Sequence, residues 1–319
     1  MYRYIIKRLL WMIPVILGVI FVVFTLLYFA PGDPVEIILG EGATVEEEEN
    51  LRIKMGLDKS YIERFVTYLG EVFLHGNLGV SYISKVSITA SLIQRLPRTI
   101  LMAVFSLIVS MGMGIPMGVY AAVHQDTWKD RGIMLVAMLG ISMPNFWLAL
   151  LLVILFSVHL GWLPASGIGG LKYYILPALA GSSNAVSAQA RQARSAMLEV
   201  IRSDYITMAR SKGVPERRVI YGHALPNAIM PMITIAGTRF GHMLGGTLIM
   251  ETIFSIPGVG SYIIDAVNLR DYPVVQGGVI FLAVAFGITM LLVDLLYAFI
   301  DPRIKAQYAS HGARRKKDG

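Results

Sequence analysis

"YYILPALAGSSNAVSAQA", Tyr173 to Ala190, decides the fold of this chain. It opens as a lipid-facing helix would and closes on serine, asparagine, glutamine and alanine. Hydropathy alone does not assign it. Whether it crosses a membrane sets the number of spans and the side on which everything after it lies.

Its surroundings give the answer. Of 319 residues, 55% are hydrophobic and 15% charged, with a mean hydropathy of +0.62, whereas soluble domains carry about 25% charged residues. Five other apolar stretches stand out: Leu9–Ala30, Ile100–Val123, Ile133–Leu160, Pro231–Met250 and Gly277–Ile300. Each reaches the roughly 17–25 residues that a spanning helix needs. With Tyr173–Ala190 as the fourth of six spans and the N-terminus inside, the cytoplasmic segments hold 18 Lys or Arg. Three precede Leu9, two lie in 124–132, seven in 191–230 and six after Ile300. The outer segments hold nine, and seven of those fall in the long 31–98 loop, where the positive-inside bias is weak. Omitting the fourth span would turn 191–230 and the tail "ARRKK" outward, against that bias. The sequence therefore predicts an all-α integral membrane protein with six transmembrane helices and both termini cytoplasmic. The first of them stays as a span: its run of 22 residues exceeds the roughly 7–15 of a signal core, and "LLYFAPGD" offers no small-x-small cleavage site.

Four parts follow from this reading: an N-terminal helix (1–30), an outer helical cap (31–95), a membrane core (96–300) with a cytoplasmic loop at 191–230, and a basic tail (301–319). In the cap, Thr44 with Glu47 and Ser60 with Glu63 fit the reciprocal capping box. Ile62, Phe65, Val66, Leu69 and Phe73 share one helical face, and Gly56 and Gly76 are natural helix stops. A third amphipathic piece, Ile88, Leu92, Ile93 and Leu96, leads through Pro97 into the second span. "EEEEN" reads as a solvated helix face.

Several chemistries are excluded. There is no cysteine, so neither disulfide nor thiolate site exists. No GxxxxGK[ST] cradles a nucleotide, and no HExxH or GxSxG marks a hydrolase. "GMGIPMG" lies inside a span without a preceding strand, so Gly114 and Gly118 read as a close helix contact in lipid. His159 and His242 stand alone on apolar faces and read as helix contacts. The charge of +7 gathers beside the membrane spans, which points to lipid and away from nucleic acid.

The cytoplasmic loop contains "DYITMARSKGVPERRVIYGHALPN", Asp204 to Asn227. Asp204 is placed to cap a short helix from Tyr205 to Lys212, roughly 12 Å long at 1.5 Å per residue. Gly213 supplies a left-handed stop, and Pro215 suits the first turn of a second helix ending near "HALPN". The product is a helix–turn–helix elbow with a small face at Ala209, ringed by Arg210, Lys212, Arg217 and Arg218. A basic loop lying on anionic headgroups would explain the charge but not the tight turn.

This elbow resembles the cytoplasmic loop of binding-protein-dependent ABC importer permeases, whose pattern is Glu-Ala-Ala, three residues, Gly, nine residues, Ile, one residue, Leu-Pro. Ala209, Gly213, Leu225 and Pro226 fit; Thr207, Met208 and His223 depart from it. The di/oligopeptide and nickel branch is similar over most of the chain: "PGDP", "SMPNFW", "ETIFSIPGVG", "DYPVVQGG" and "LLVDLLYAFIDPRI" all resemble it, and "DYITMARSKG…HALPNA" matches its own form of the loop. The likeness is strongest to the first permease subunit of dipeptide importers.

The resemblance implies a type I ABC importer architecture in the bacterial inner membrane. It implies a second permease subunit, two ATPase subunits that carry ATP and Mg, and an extracytoplasmic binding protein. The chain itself would bind no cofactor and catalyse nothing. Asp204, Tyr205, Ala209, Arg210, Lys212 and Gly213 would couple to the ATPase, with Pro215, Leu225 and Pro226 as the hinge. The cargo would be di- or oligopeptides, with nickel or glutathione as alternatives. An ion-coupled secondary transporter or a membrane-embedded enzyme are rival classes, but neither midplane coupling residues nor a nucleophile and base stand out.

Two further expectations concern the membrane. "ETIFSIPGVG", with Phe254, Pro257, Gly258 and Gly260, is expected to turn back toward the outer pore mouth, because its apolar residues need burial and Pro-Gly permits a sharp reversal. Arg239 and Asp294 lie about 12 and 10 Å inside consecutive spans. There, an ionised side chain costs on the order of 2–3 kcal/mol, so the two are expected to pair directly or through one water; the alternative is that Arg239 snorkels to the cytoplasmic surface or lines the pore while Asp294 bonds a nearby backbone or hydroxyl group.

Overall fold

The computed structural model describes residues 2–40 and 43–300, which are helical apart from turns and one isolated bridge between Val80 and Ser87. The basic tail at 301–319 lies outside the described residues. In chain order the first helices are α1 (Tyr2–Tyr28), α2 (Pro34–Leu39), α3 (Val45–Lys54), α4 (Tyr61–His75) and α5 (Ile88–Val123). Next come α6 (Trp128–Ser142), α7 (Asn145–Leu152) with a π-helical turn to His159, α8 (Ile175–Gly181) and α9 (Ser183–Ile201). They are followed by α10 (Asp204–Ser211), α11 (Glu216–Arg218), a second π turn (Val219–Ala224), α12 (Leu225–Ile253), α13 (Val259–Asn268) and α14 (Tyr272–Ile300).

Among the described residues, four helical segments are long and apolar enough to cross a membrane: Ile5–Tyr28, Ile88–Val123, Glu216–Gly245 and Tyr272–Leu296. A fifth arises if Trp128–Ser142 and Asn145–His159 count as one span, although they bend by 106°. The predicted unbroken span Ile133–Leu160 is therefore corrected. Pro144 pushes the preceding residue out of the helical region, and Met143 sits at φ −95°, ψ 131°. Tyr173–Ala190, which becomes a 3-10 turn followed by α8 and α9, is too polar to qualify by composition.

Chain contacts separate two units. Among the described residues, one holds Tyr2–Thr99 and Pro257–Gly287; the other holds Ile100–Ile256 and 288–300. In the first, both capping boxes form as expected: Thr44 and Glu47 bond reciprocally, as do Ser60 and Glu63. The backbone and hydroxyl of Thr44 hold the Glu47 carboxyl below its ordinary pKa, and the Ser60 hydroxyl and backbone do the same for Glu63. Gly76 ends α4 in the left-handed region at φ 61°. The packed face of α4 differs from expectation. Phe65, Tyr68, Leu69 and Val72 face the core, while Ile62, Val66 and Phe73 are exposed. Aromatic contacts select this rotation, since Phe24 of α1 meets Phe65 and Tyr61 edge-on at 5.3 and 5.4 Å.

The second unit is built around α9. Its small residues Ala185, Ser187, Ala188, Ala190, Ala193 and Ala196 are buried, because neighbouring backbones come close enough to need them. A Cβ placed on Gly118 of α5 would sit 2.3 Å from the Ala190 carbonyl, and one on Gly114 would sit 2.7 Å from Gln189 Cβ. The expected small-residue contact is thus real, and α9 is its other half. Gln189 Nε2 donates to the Met232 carbonyl of α12 at 3.0 Å, and the Ser187 hydroxyl donates to the Ala137 carbonyl of α6.

Candidate functional site

The elbow begins one residue earlier than predicted. Ser203, in an extended conformation, is the residue before α10, and Asp204 is the first helical residue rather than the cap. Ser203 Oγ donates back to the Val200 carbonyl at 2.6 Å instead of capping α10. The carboxylate of Asp204 still lies where the helix dipole favours a negative charge. The helix ends as the sequence demands. Gly213 has φ +76°; its N–H donates to the Arg210 carbonyl at 2.9 Å, and the Val214 N–H reaches the Ala209 carbonyl at 3.3 Å. These two bonds form a Schellman stop, which needs a left-handed residue at its centre.

The turn is then fixed on both sides. Ile206 is fully buried with Val219, Ile220, Ala224 and Met197, and Val214 and Ala209 pack against that cluster. Ala209 is therefore inside the elbow and not on its outer face. Arg210 spans the turn to Glu216, with Nη2 2.7 Å from Oε1 and Nε 3.2 Å from Oε2, so its charge is used internally. What projects outward is Tyr205 and Met208, 46% and 62% exposed, flanked by Asp204 and Lys212. A partner would meet an aromatic and a thioether on a rigid two-turn helix.

The second helix does not end near "HALPN". Pro215 precedes α11, and the chain runs through the π turn directly into α12, with Pro226 in its first turn. Proline there removes a backbone donor and crowds the carbonyl four residues back; the wider π turn makes room for the ring without breaking the rod. The proposed hinge residues Leu225 and Pro226 thus sit inside one continuous lever.

A buried clamp escaped the sequence reading. Asp130, in the first turn of α6 and 3% exposed, accepts two bonds from Arg194 of α9 at 2.7 and 2.6 Å, and a third from the Asp126 N–H at 3.1 Å. The signal was Thr127 three residues before Asp130, a helix start expected to expose its acid. Burial of that acid required a partner 64 residues away, which no local pattern specifies.

The "ETIFSIPGVG" turn is closed. Phe254 and Ile256 are buried with Met102, Leu176 and Met250, and the Phe254 carbonyl accepts from the Gly167 N–H at 2.9 Å. In the other unit, Gly258 and Gly260 are buried at the start of α13, the Val259 N–H donates to Thr99 Oγ1 at 2.9 Å, and Arg98 Nη1 donates to the Pro257 carbonyl at 3.3 Å. The expected direct pairing of Arg239 with Asp294 is corrected: no ion pair joins them among the described residues. Arg239 lines a cavity with Ser106, Asn145, Asn184 and His242, because its face of α12 turns toward α5, α7 and α9; Asp294 is half-buried on α14.

The family model of the binding-protein-dependent transport system inner membrane component matches residues 114–306, and its N-terminal companion matches residues 1–103. A putative peptide transport system permease protein of Brucella abortus is 41% identical over 309 residues, covering 94% of this chain and 98% of the relative. The dipeptide transport system permease protein DppB of Alkalihalophilus pseudofirmus is 39% identical, covering 96% and 100%. The glutathione transport system permease protein GsiC of Salmonella choleraesuis is also 39% identical, covering 96% and 99%. Among solved structures, an inward-facing MetNI methionine ABC transporter superposes with a TM-score of 0.58 at 17% identity, over 67% of this chain and 98% of the other; at that identity the likeness is one of fold.

Proposed function

The chain belongs to the inner-membrane component family of binding-protein-dependent transport systems, and from that premise we propose that it is the pore-forming subunit of an ATP-driven importer of peptides. It is a multi-pass permease of the inner membrane. In this reading Tyr173–Ala190 is the fourth of six spans, both termini are cytoplasmic, and the 31–95 cap faces outward. A second permease subunit completes the pore, two ATPase subunits supply ATP and Mg chemistry from below, and a binding protein delivers cargo from above.

One observation carries the mechanism: the α10 elbow is locked by its Schellman stop and anchored through Ile206, yet presents Tyr205 and Met208 outward. Asp204, Tyr205, Lys212 and Gly213 then form the coupling contact, with Ala209 and Arg210 stiffening it from within. Motion of an ATPase subunit bearing on this helix passes to α9 through the shared core and to α12 through the continuous rod from Glu216. Such coupling acts as a two-state gate whose equilibrium ATP and the loaded binding protein both bias. The buried "ETIFSIPGVG" turn, with Phe254, Pro257, Gly258 and Gly260, serves as a fixed part of the outer mouth. Glutathione, itself a tripeptide and the cargo named for one relative, fits the same reading.

The test is uptake by proteoliposomes carrying the complete assembly, with ATP inside and a loaded binding protein outside. Accumulation of labelled dipeptide that requires ATP supports the function; ATP hydrolysis by this subunit alone, or uptake that proceeds without an ATPase, sinks it.

A further inference from the structure

Arg239 is the middle residue of the 29-residue α12, about 21 Å from either end at 1.5 Å per residue. It is exposed and belongs to none of the ion pairs formed among the described residues. A charged guanidinium facing hydrocarbon at such depth is expensive, so this side of α12 must face water or protein. The residues around it agree. Thr234, Thr238, Arg239 and His242 make a polar stripe along a largely apolar helix, all exposed. Ser106, Asn145, Asn184, Arg239, His242 and Thr247 surround a cavity of about 200 Å³. Within it, the Asn145 side-chain carbonyl already accepts from the Ser183 hydroxyl at 3.0 Å and from the Asn184 amide at 3.4 Å. The guanidinium is thus the cationic donor group that this cavity offers, and the complement to it is an acceptor-rich anion. Met243 and Met250 give the remaining wall a deformable apolar surface, suited to side chains of differing shape.

We propose that this cavity is a water-filled section of the translocation path and that Arg239 is where the carboxylate of the passing peptide is held. The assignment rests on the peptide-importer reading and names its intramembrane contact.

Because the chain has no cysteine, one introduced thiol can report on the site. The complete assembly carrying His242→Cys is treated with anionic and cationic methanethiosulfonate reagents of similar size. Both reagents should react, the anionic one faster, since Arg239 lies one turn away on the same face. Arg239→Gln should lower the anionic-to-cationic rate ratio roughly fivefold through the lost local potential, and Arg239→Lys should retain it. A saturating dipeptide with a free C-terminus should slow the reaction, and its C-terminal amide should slow it less. If neither reagent reaches His242→Cys while a thiol at the exposed cap residue Val45 labels normally, the face is covered and the proposal fails. It fails equally if the ratio is unchanged in Arg239→Gln. Dipeptide uptake by the unaltered assembly is measured alongside: its absence overturns the importer reading, whereas uptake with an indifferent Arg239 overturns only this assignment.

Discussion

Helices α1 and α9 invert the rule learned from soluble proteins. The first is the more apolar, yet Leu10, Trp11, Val15 and Leu26 are all exposed and, among its described residues, only Ile20 and Phe24 are buried. The second is built from alanine, serine and glutamine and is buried over most of its length. In water, greasy residues go inside because solvent expels them. In lipid that drive is gone, and close backbone packing and hydrogen bonds decide what lies inside. The segment that hydropathy assigns least well therefore runs into a helix packed against α5, α6 and α12.

Substituting the glycines that face α9 breaks this comparison most severely. Gly118→Ile should abolish the folded, monodisperse subunit in detergent chromatography, and Gly118→Ala should cost about 1–3 kcal/mol by overpacking, since even its Cβ meets the Ala190 carbonyl at 2.3 Å. Gly18→Ile on α1, where a Cβ meets nothing within 4 Å, should leave the elution profile unchanged. Equal damage at both positions would refute the contrast.

The α6–α9 clamp comes next. Asp130→Asn should lower stability by about 2 kcal/mol, less than a fully buried pair because Arg194 is part-exposed, read as a lower midpoint in thermal unfolding. Gly213→Val should cost about 1–2 kcal/mol at the left-handed position. Its clearer signature is ATP hydrolysis no longer stimulated by loaded binding protein while the assembly stays intact. Arg210→Ala removes a pair exposed at both ends and should cost about 0.5 kcal/mol, with hydrolysis still stimulated.

The capping boxes, the Gly76 and Gly213 stops and the Gly114–Gly118 contact were legible because each is a local rule that a few residues satisfy among themselves. The bend at Met143–Pro144 was legible in principle, but the length of the apolar run around it concealed the break. The exposed face of α10 was not: Ala209 was expected on the contact surface, and only the packing of Ile206 fixes the rotation that turns it inward. Arg194 with Asp130 and the polar surroundings of Arg239 and His242 depend on how distant helices are rotated against each other. Spacing along one helix carries no record of that.

The most direct test of coupling through the elbow uses the same absence of native cysteine. Met208→Cys, in the complete assembly reconstituted in lipid, is paired with a panel of single cysteines across the surface of the ATPase subunit and oxidised with and without ATP. A disulfide-linked permease–ATPase species at Met208→Cys, changing in yield with nucleotide and absent for the buried Ile206→Cys, is the expected result. Failure of Met208→Cys to link to any ATPase position in an assembly that still imports peptide would contradict it.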